Sequence, residues 1–90
     1  MVSISKTNAK KVYSAFNRVQ SRASKSEIVS LGKTGYVYID KSDDIDGIII
    51  TIKINGIFID IDDAHFIGID ENKGLRISSM NSYVRIPYRM

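Results

Sequence analysis

The chain has 90 residues, of which 43% are hydrophobic and 26% charged, with a net charge of +3. That length supports one core, so residues 1–90 are expected to form a single domain, and the composition is that of a folded chain rather than a disordered one. There is no cysteine, which excludes a disulfide framework, a thiolate metal site and a thiol nucleophile.

The first predicted element is an amphipathic helix at about residues 7–24. Val12, Phe16, Val19 and Ala23 recur at spacings of four, three and four, with Ala9 extending the stripe. Such spacing places them on one face at about 100° per residue. Lys11, Arg18, Arg22 and Lys25 fall together on another face, away from that stripe. Ser5 or Thr7 is the expected N-cap. Ser24, Ser26 and the β-branched pair Ile28–Val29 are expected to end the helix.

From about residue 27 to 87 the pattern is that of a β-meander. Ile28–Leu31 and Tyr36–Asp40 are short strands on either side of a Gly32–Gly35 turn. The strongest signal is the hairpin Gly47–Asp62. Ile48, Ile50, Ile52 and Ile54 alternate with Ile49, Thr51 and Lys53, and Asn55-Gly56 is the preferred pair for a type I′ turn. A two-residue loop opposes Ile54 to Ile57, Ile52 to Ile59 and Ile50 to Ile61, so all six are expected on one buried face. On the other face Lys53 meets Phe58 and Thr51 meets Asp60, with Lys53 also within diagonal reach of Asp60. Weaker strands follow at His65–Asp70, Leu75–Ser78 and Ser82–Ile86, separated by turns at Asp70–Gly74 and Met80–Asn81. Pro87 ends the last strand or confines it to an edge.

These elements predict an α+β fold, with one N-terminal helix packed on a five- to seven-stranded antiparallel sheet or small barrel. The order of a helix followed by five strands is similar to that of Sm-like small barrels, although that family's glycine and asparagine signature positions are not found here.

Few motifs survive a test of their context. Gly32-Lys33-Thr34 has Glu27 where a phosphate loop needs glycine, and a strand where it needs a helix. Ser42, Asp44, Asp46 and Gly47 imitate the start of a calcium loop, but the residue at its bidentate position is Lys53 and a strand follows. Asp60, Asp62, Asp63, His65 and Asp70 are the best set for metal or acid–base chemistry. With one histidine in the whole chain, acidic strand edges are the simpler reading, and no metal or cofactor is expected.

An aromatic and basic constellation remains. Tyr36 and Tyr38 share one face of their strand, and Tyr83 and Arg85 share one face of theirs. Together they would form a surface suited either to protein interfaces or to stacked bases. Charge is segregated as well. Residues 1–33 carry seven Lys/Arg and one Glu, residues 34–73 carry three Lys and nine Asp/Glu, and residues 74–90 carry three Arg and no acid. Sixteen isoleucines against two leucines is the skew of AT-rich codons, which fits a low-GC bacterium, a phage or a mobile element.

No convergent catalytic set is present, so a non-enzymatic role is expected. The reading is an interaction or inhibitor protein that docks on a protein or ribonucleoprotein partner. Its expected contact residues are Lys11, Arg18, Arg22, Lys25, Tyr36, Tyr38, Tyr83 and Arg85. The alternative is direct binding of RNA or single-stranded DNA. A homodimer through an exposed strand edge also fits. The polar stretch Met1–Lys11 and the short apolar runs predict no signal peptide, no membrane contact and a cytoplasmic location.

Overall fold

The computed structural model describes residues 2–41, 47–80 and 82–89. Helix α1 (Lys6–Gln20) is followed by β1 (Ser26–Ser30), a 3-10 turn at Gly32–Thr34, β2 (Gly35–Lys41), β3 (Ile48–Ile54), β4 (Ile57–Ala64), β5 (Phe66–Asp70), β6 (Gly74–Ser78) and β7 (Tyr83–Pro87). The fold is α+β. The strands do not form one sheet or a closed barrel. They divide into an open four-stranded sheet, β1-β2-β3-β4, and an open three-stranded sheet, β5-β6-β7. All strand pairings are antiparallel. The turn expected at Ser42–Gly47 lies outside the described residues except for Gly47, as do the calcium-loop positions Ser42, Asp44 and Asp46, and Asn81.

Helix α1 starts where the Ser5 hydroxyl accepts the Asn8 N–H at 3.1 Å, which satisfies one of the donors that a helix N-terminus leaves unpaired. Ala9, Val12, Ala15, Phe16 and Val19 are buried against β1 and β2 of one sheet and β5 and β6 of the other. The stripe stops earlier than its spacing suggests, and Ala23 is exposed. Ser21 caps the helix, and Arg22 takes a left-handed conformation, φ 68°. That conformation is the usual way to end a helix, though glycine more often supplies it. Arg22 and Lys25 therefore lie beyond the helix rather than on its basic face.

The β3–β4 hairpin has the register read from the sequence. Ile54 pairs with Ile57, Lys53 with Phe58, Ile52 with Ile59, Thr51 with Asp60 and Ile50 with Ile61. Asn55 and Gly56 have φ of 52° and 80°, the left-handed pair that a type I′ turn requires. Burial follows the expectation on β3, where Ile48, Ile50, Ile52 and Ile54 are all fully buried. It departs from it on β4. Ile59 and Ile61 are only partly buried and Ile57 is 45% exposed, because β4 is an edge strand and the helix packs on β1 and β2 instead. Lys53 lies over the Phe58 ring, 5.4 Å from its centre, rather than bridging to Asp60.

Register shifts near the end of this hairpin. Ile48 pairs with Ala64 while Ile50 pairs with Ile61, so Asp62 and Asp63 together oppose Ile49. A bulge of this kind bends its strand. One residue later, at His65, the chain leaves the four-stranded sheet and enters the other. The helix fixes this corner, since the Gln20 amide donates to the His65 carbonyl at 3.0 Å. The N-terminal segment closes the other end of the molecule. Ile4 forms a parallel bridge with Tyr88, donating to the Pro87 carbonyl at 2.9 Å and accepting from Arg89 at 2.8 Å. Buried residues from the helix and both sheets then make one continuous core, from Ile4 and Phe16 to Ile52, Leu75 and Ile86.

Gly35 shows how tightly the strands are set. Its φ of 148° with ψ of −141° is a conformation essentially restricted to glycine. A Cβ there would strike the Lys53 carbonyl across the β2–β3 ladder.

Candidate functional site

Strand β1 is one edge of the four-stranded sheet. Lys41 donates to the Lys25 carbonyl and Leu31 donates to the Gly35 carbonyl, so the odd-numbered residues of this segment bond to β2. In an antiparallel pair the alternate residues point their groups the other way. Ser26, Ile28 and Ser30 thus turn their N–H and C=O groups outward, where no strand pairs with them among the described residues.

Two shallow grooves flank this free edge and share Ile28 and Ser30. One lies between the strand and the helix, where Lys11, Ser14, Arg18 and Glu27 line it. The other lies on the outer face of the sheet, where Tyr36, Tyr38 and Thr51 line it. Register explains the second. Ile28 opposes Tyr38, which opposes Thr51, while Ser30 opposes Tyr36, then Lys53, then Phe58. Ile28 is 69% exposed and Phe58 59%, so an apolar patch with two tyrosines faces away from the core.

The structure therefore gathers Lys11, Arg18, Tyr36 and Tyr38 around one strand. It leaves Arg22 and Lys25 in the exposed connection just before that strand. It places Tyr83 and Arg85 on the other sheet, so the two Tyr/Arg faces do not coincide. Ile28 and Phe58 are the residues of this patch that the contact set lacks. Ile28 was legible only as a strand residue, since its exposure depends on β1 being an edge.

The basic face of the helix is also less bare than its own sequence suggests. Glu27 of β1 meets Arg18 through two hydrogen bonds, Nε to Oε2 and Nη2 to Oε1, both at 2.6 Å. Such a bidentate pair is shorter and stronger than neutral hydrogen bonds. The Arg18 hydrogen bonds hold the Glu27 carboxyl below its usual range, with a smaller contribution from Ser24 and with burial acting in opposition. A carboxyl with a lowered folded pKa adds stability above its unfolded value, and that contribution disappears as pH falls through the folded one. The pair is partly solvent-exposed, so its contribution is small. Glu27→Gln should flatten the acid limb of the stability curve while leaving stability above neutral pH slightly reduced. Urea midpoints measured from pH 7 down to pH 3 check this.

On the outer face of the three-stranded sheet, Gly68 opposes Arg76, which opposes Arg85, and Phe66 opposes Ser78, which opposes Tyr83. Arg76 lies over the Phe66 ring and Arg85 over the Tyr83 ring, each 5.8 Å from the centre. Asp70 accepts from Arg85 at 3.1 Å and stands 3.8 Å from Arg76. The acidic set read from the sequence is dispersed by this arrangement. Asp63 meets His65 at 3.0 Å, while Asp70 belongs to the two arginines, and no three metal-ligating side chains gather at one point among the described residues. No helix among the described residues is long and apolar enough to cross a membrane.

No protein-family model, no curated protein and no solved structure matches the chain.

Proposed function

We propose that the protein is a non-enzymatic binding module that takes an extended segment of a partner protein onto the free edge of β1. The observation that carries this reading is the pair of grooves on either side of that edge, which share Ile28 and Ser30. An added strand receives its main-chain hydrogen bonds from Ser26, Ile28 and Ser30, and its side chains fall alternately on the two sides. On the outer side they meet Ile28, Tyr36 and Tyr38, which suits apolar or aromatic residues. On the helix side they meet Lys11 and the Arg18–Glu27 pair, which suits an acidic or polar residue. Edges are normally blocked by charge, proline or a covering element; β1 has no proline, its one charged residue, Glu27, is engaged by Arg18, and it presents an exposed isoleucine at its centre. Occupying a segment that another process needs is also how a small accessory protein inhibits. A partner protein within a ribonucleoprotein fits equally well.

One observation favours a second reading, direct binding of RNA or single-stranded DNA. Phe66 and Tyr83 are 52% and 60% exposed on one sheet face with two arginines over their rings, a stacking platform in outline. Asp70 opposes it, because its carboxylate engages both arginines and offsets one of their two charges.

Affinity capture from lysate, with and without nuclease, separates the two. The full chain should retain a protein that survives nuclease. Ile28→Lys, which charges the edge without touching the core, should reduce retention at least tenfold. Tyr83→Ala combined with Arg85→Ala should leave it unchanged. Retention that disappears with nuclease, or that falls steeply with salt as counterion release requires, would overturn the first reading in favour of the second.

A further inference from the structure

Three parts of the chain that are remote in sequence meet where the termini pair. The Ile4–Tyr88 bridge joins the N-terminal segment to the end of β7, and Lys6 and Arg89 line one groove there. The Tyr88 N–H points to the Lys73 carbonyl at 3.4 Å, which sets the turn between β5 and β6 alongside. The groove between them is lined by Lys6, Lys73 and Arg89, by Tyr88 and Pro87, and by the short polar side chains of Ser3 and Asn72. No carboxylate lines it among the described residues. Asp70 and Glu71 lie close enough to Tyr88 to help burial push its phenol up, but neither lines the groove, and Asp70 is already engaged by Arg85 and Arg76.

The three cations differ from the three arginines that have carboxylate partners in the structure. Arg76 and Arg85 have Asp70, and on the opposite edge Arg18 has Glu27. Lys6, Lys73 and Arg89 have no carboxylate partner among the described residues, and Lys6 rests over the Tyr88 ring at 5.5 Å. Like charges held around one groove repel unless an anion joins them. A carboxylate offsets one of the three. A phosphate monoester carries about −1.5 to −2 at neutral pH and presents three acceptor oxygens, and arginine and lysine are its usual donors. Tyr88 and Pro87 offer an apolar surface beside the cations for the group that the phosphate is attached to.

We propose that this groove binds a terminal phosphate monoester through Lys6, Lys73 and Arg89. It is a site separate from the β1 edge, and its test does not depend on a partner protein. The test follows backbone amide shifts of the full chain while inorganic phosphate, adenosine monophosphate, adenosine or sodium chloride is added at matched ionic strength. Phosphate and the nucleotide should both shift Lys73, Tyr88 and Arg89 saturably. Tighter binding of the nucleotide than of phosphate would assign Tyr88 and Pro87 to the attached group, and equal binding would assign the site to the phosphate alone. Lys73→Ala with Arg89→Ala should weaken binding at least tenfold. Both side chains are exposed, so the melting temperature should hold and show that the variant is folded. Lys33→Ala, an exposed residue in the turn between β1 and β2 that does not line this groove, should bind normally. Shifts that sodium chloride reproduces, adenosine binding as tightly as its monophosphate, or equal weakening by Lys33→Ala would each overturn the proposal.

Discussion

Ile52→Asp should unfold the protein. Ile52 is fully buried at the centre of β3, between Val37 on β2 and Ile59 on β4. The substitution removes a buried isoleucine side chain and leaves a carboxylate without a partner in the core, a combined cost of about 5 kcal/mol or more. Native domains hold roughly 5–15 kcal/mol in total, and one of this size lies toward the lower end. Far-UV circular dichroism should show the loss of native structure at 25 °C, with no cooperative melt. The neighbouring change, Thr51→Asp, should cost only about 0.2–1 kcal/mol. Thr51 sits on the outer face opposite Asp60, so the new carboxylate meets a like charge in solvent. Equal damage from both changes would contradict the assignment of faces on which the hairpin and the outer groove depend.

Phe16→Ala should have the next largest effect. Phe16 is fully buried and heads the large core side chains by volume. It sits on a helix that touches both sheets, so its ring helps hold two separate layers together. Truncation of a buried phenylalanine costs about 3–5 kcal/mol, from lost burial and from the cavity that remains. In a domain of this length that lowers Tm by about 12 °C or more. Arg18→Ala, two residues along the same helix, loses an exposed ion pair and should lower Tm much less. The reverse ranking would mean that the helix is held by its charged side.

The hairpin was legible because alternation and an Asn-Gly turn act over a few residues and agree with one another. Period-2 isoleucines set the face, and two residues at the turn set the register. The end of the helix was not, because Arg22 supplies the left-handed turn that a glycine would have announced. The division into two sheets was hidden for a similar reason. The corner falls at His65, next to a bulge formed by Asp62 and Asp63, with neither glycine nor proline to mark it. Ile57 shows that alternation gives a face but not its burial, which depends on where the helix lies.

The contact residues follow the same division. Lys11, Arg18, Tyr36 and Tyr38 were found from face periodicity, and the fold brings them near β1 because the helix packs on the sheet at β1 and β2 while the two tyrosines lie on β2, opposite Ile28 and Ser30. The neutralisation of Arg18 by Glu27 joins residues nine apart across a turn, and helical spacing alone does not show it. Ile28 became significant only once β1 was an edge, which is a property of strand order. Tyr83 and Arg85 were assigned to the same surface by residue type, and the two-sheet arrangement separates them from it.

Amide hydrogen exchange along β1 tests the central claim most directly. In the free protein, Ser26, Ile28 and Ser30 point their N–H groups to solvent and should exchange fast, while Glu27 and Val29 bond to β2 and should be protected. When a captured partner binds, Ile28 and its outward-pointing neighbours should become protected, with Glu27 and Val29 changing little. Partner binding that leaves Ile28 exchanging at its free rate, and protects Phe66–Asp70 or Tyr83–Ile86 instead, would contradict strand addition at β1 and place the interface on the other sheet.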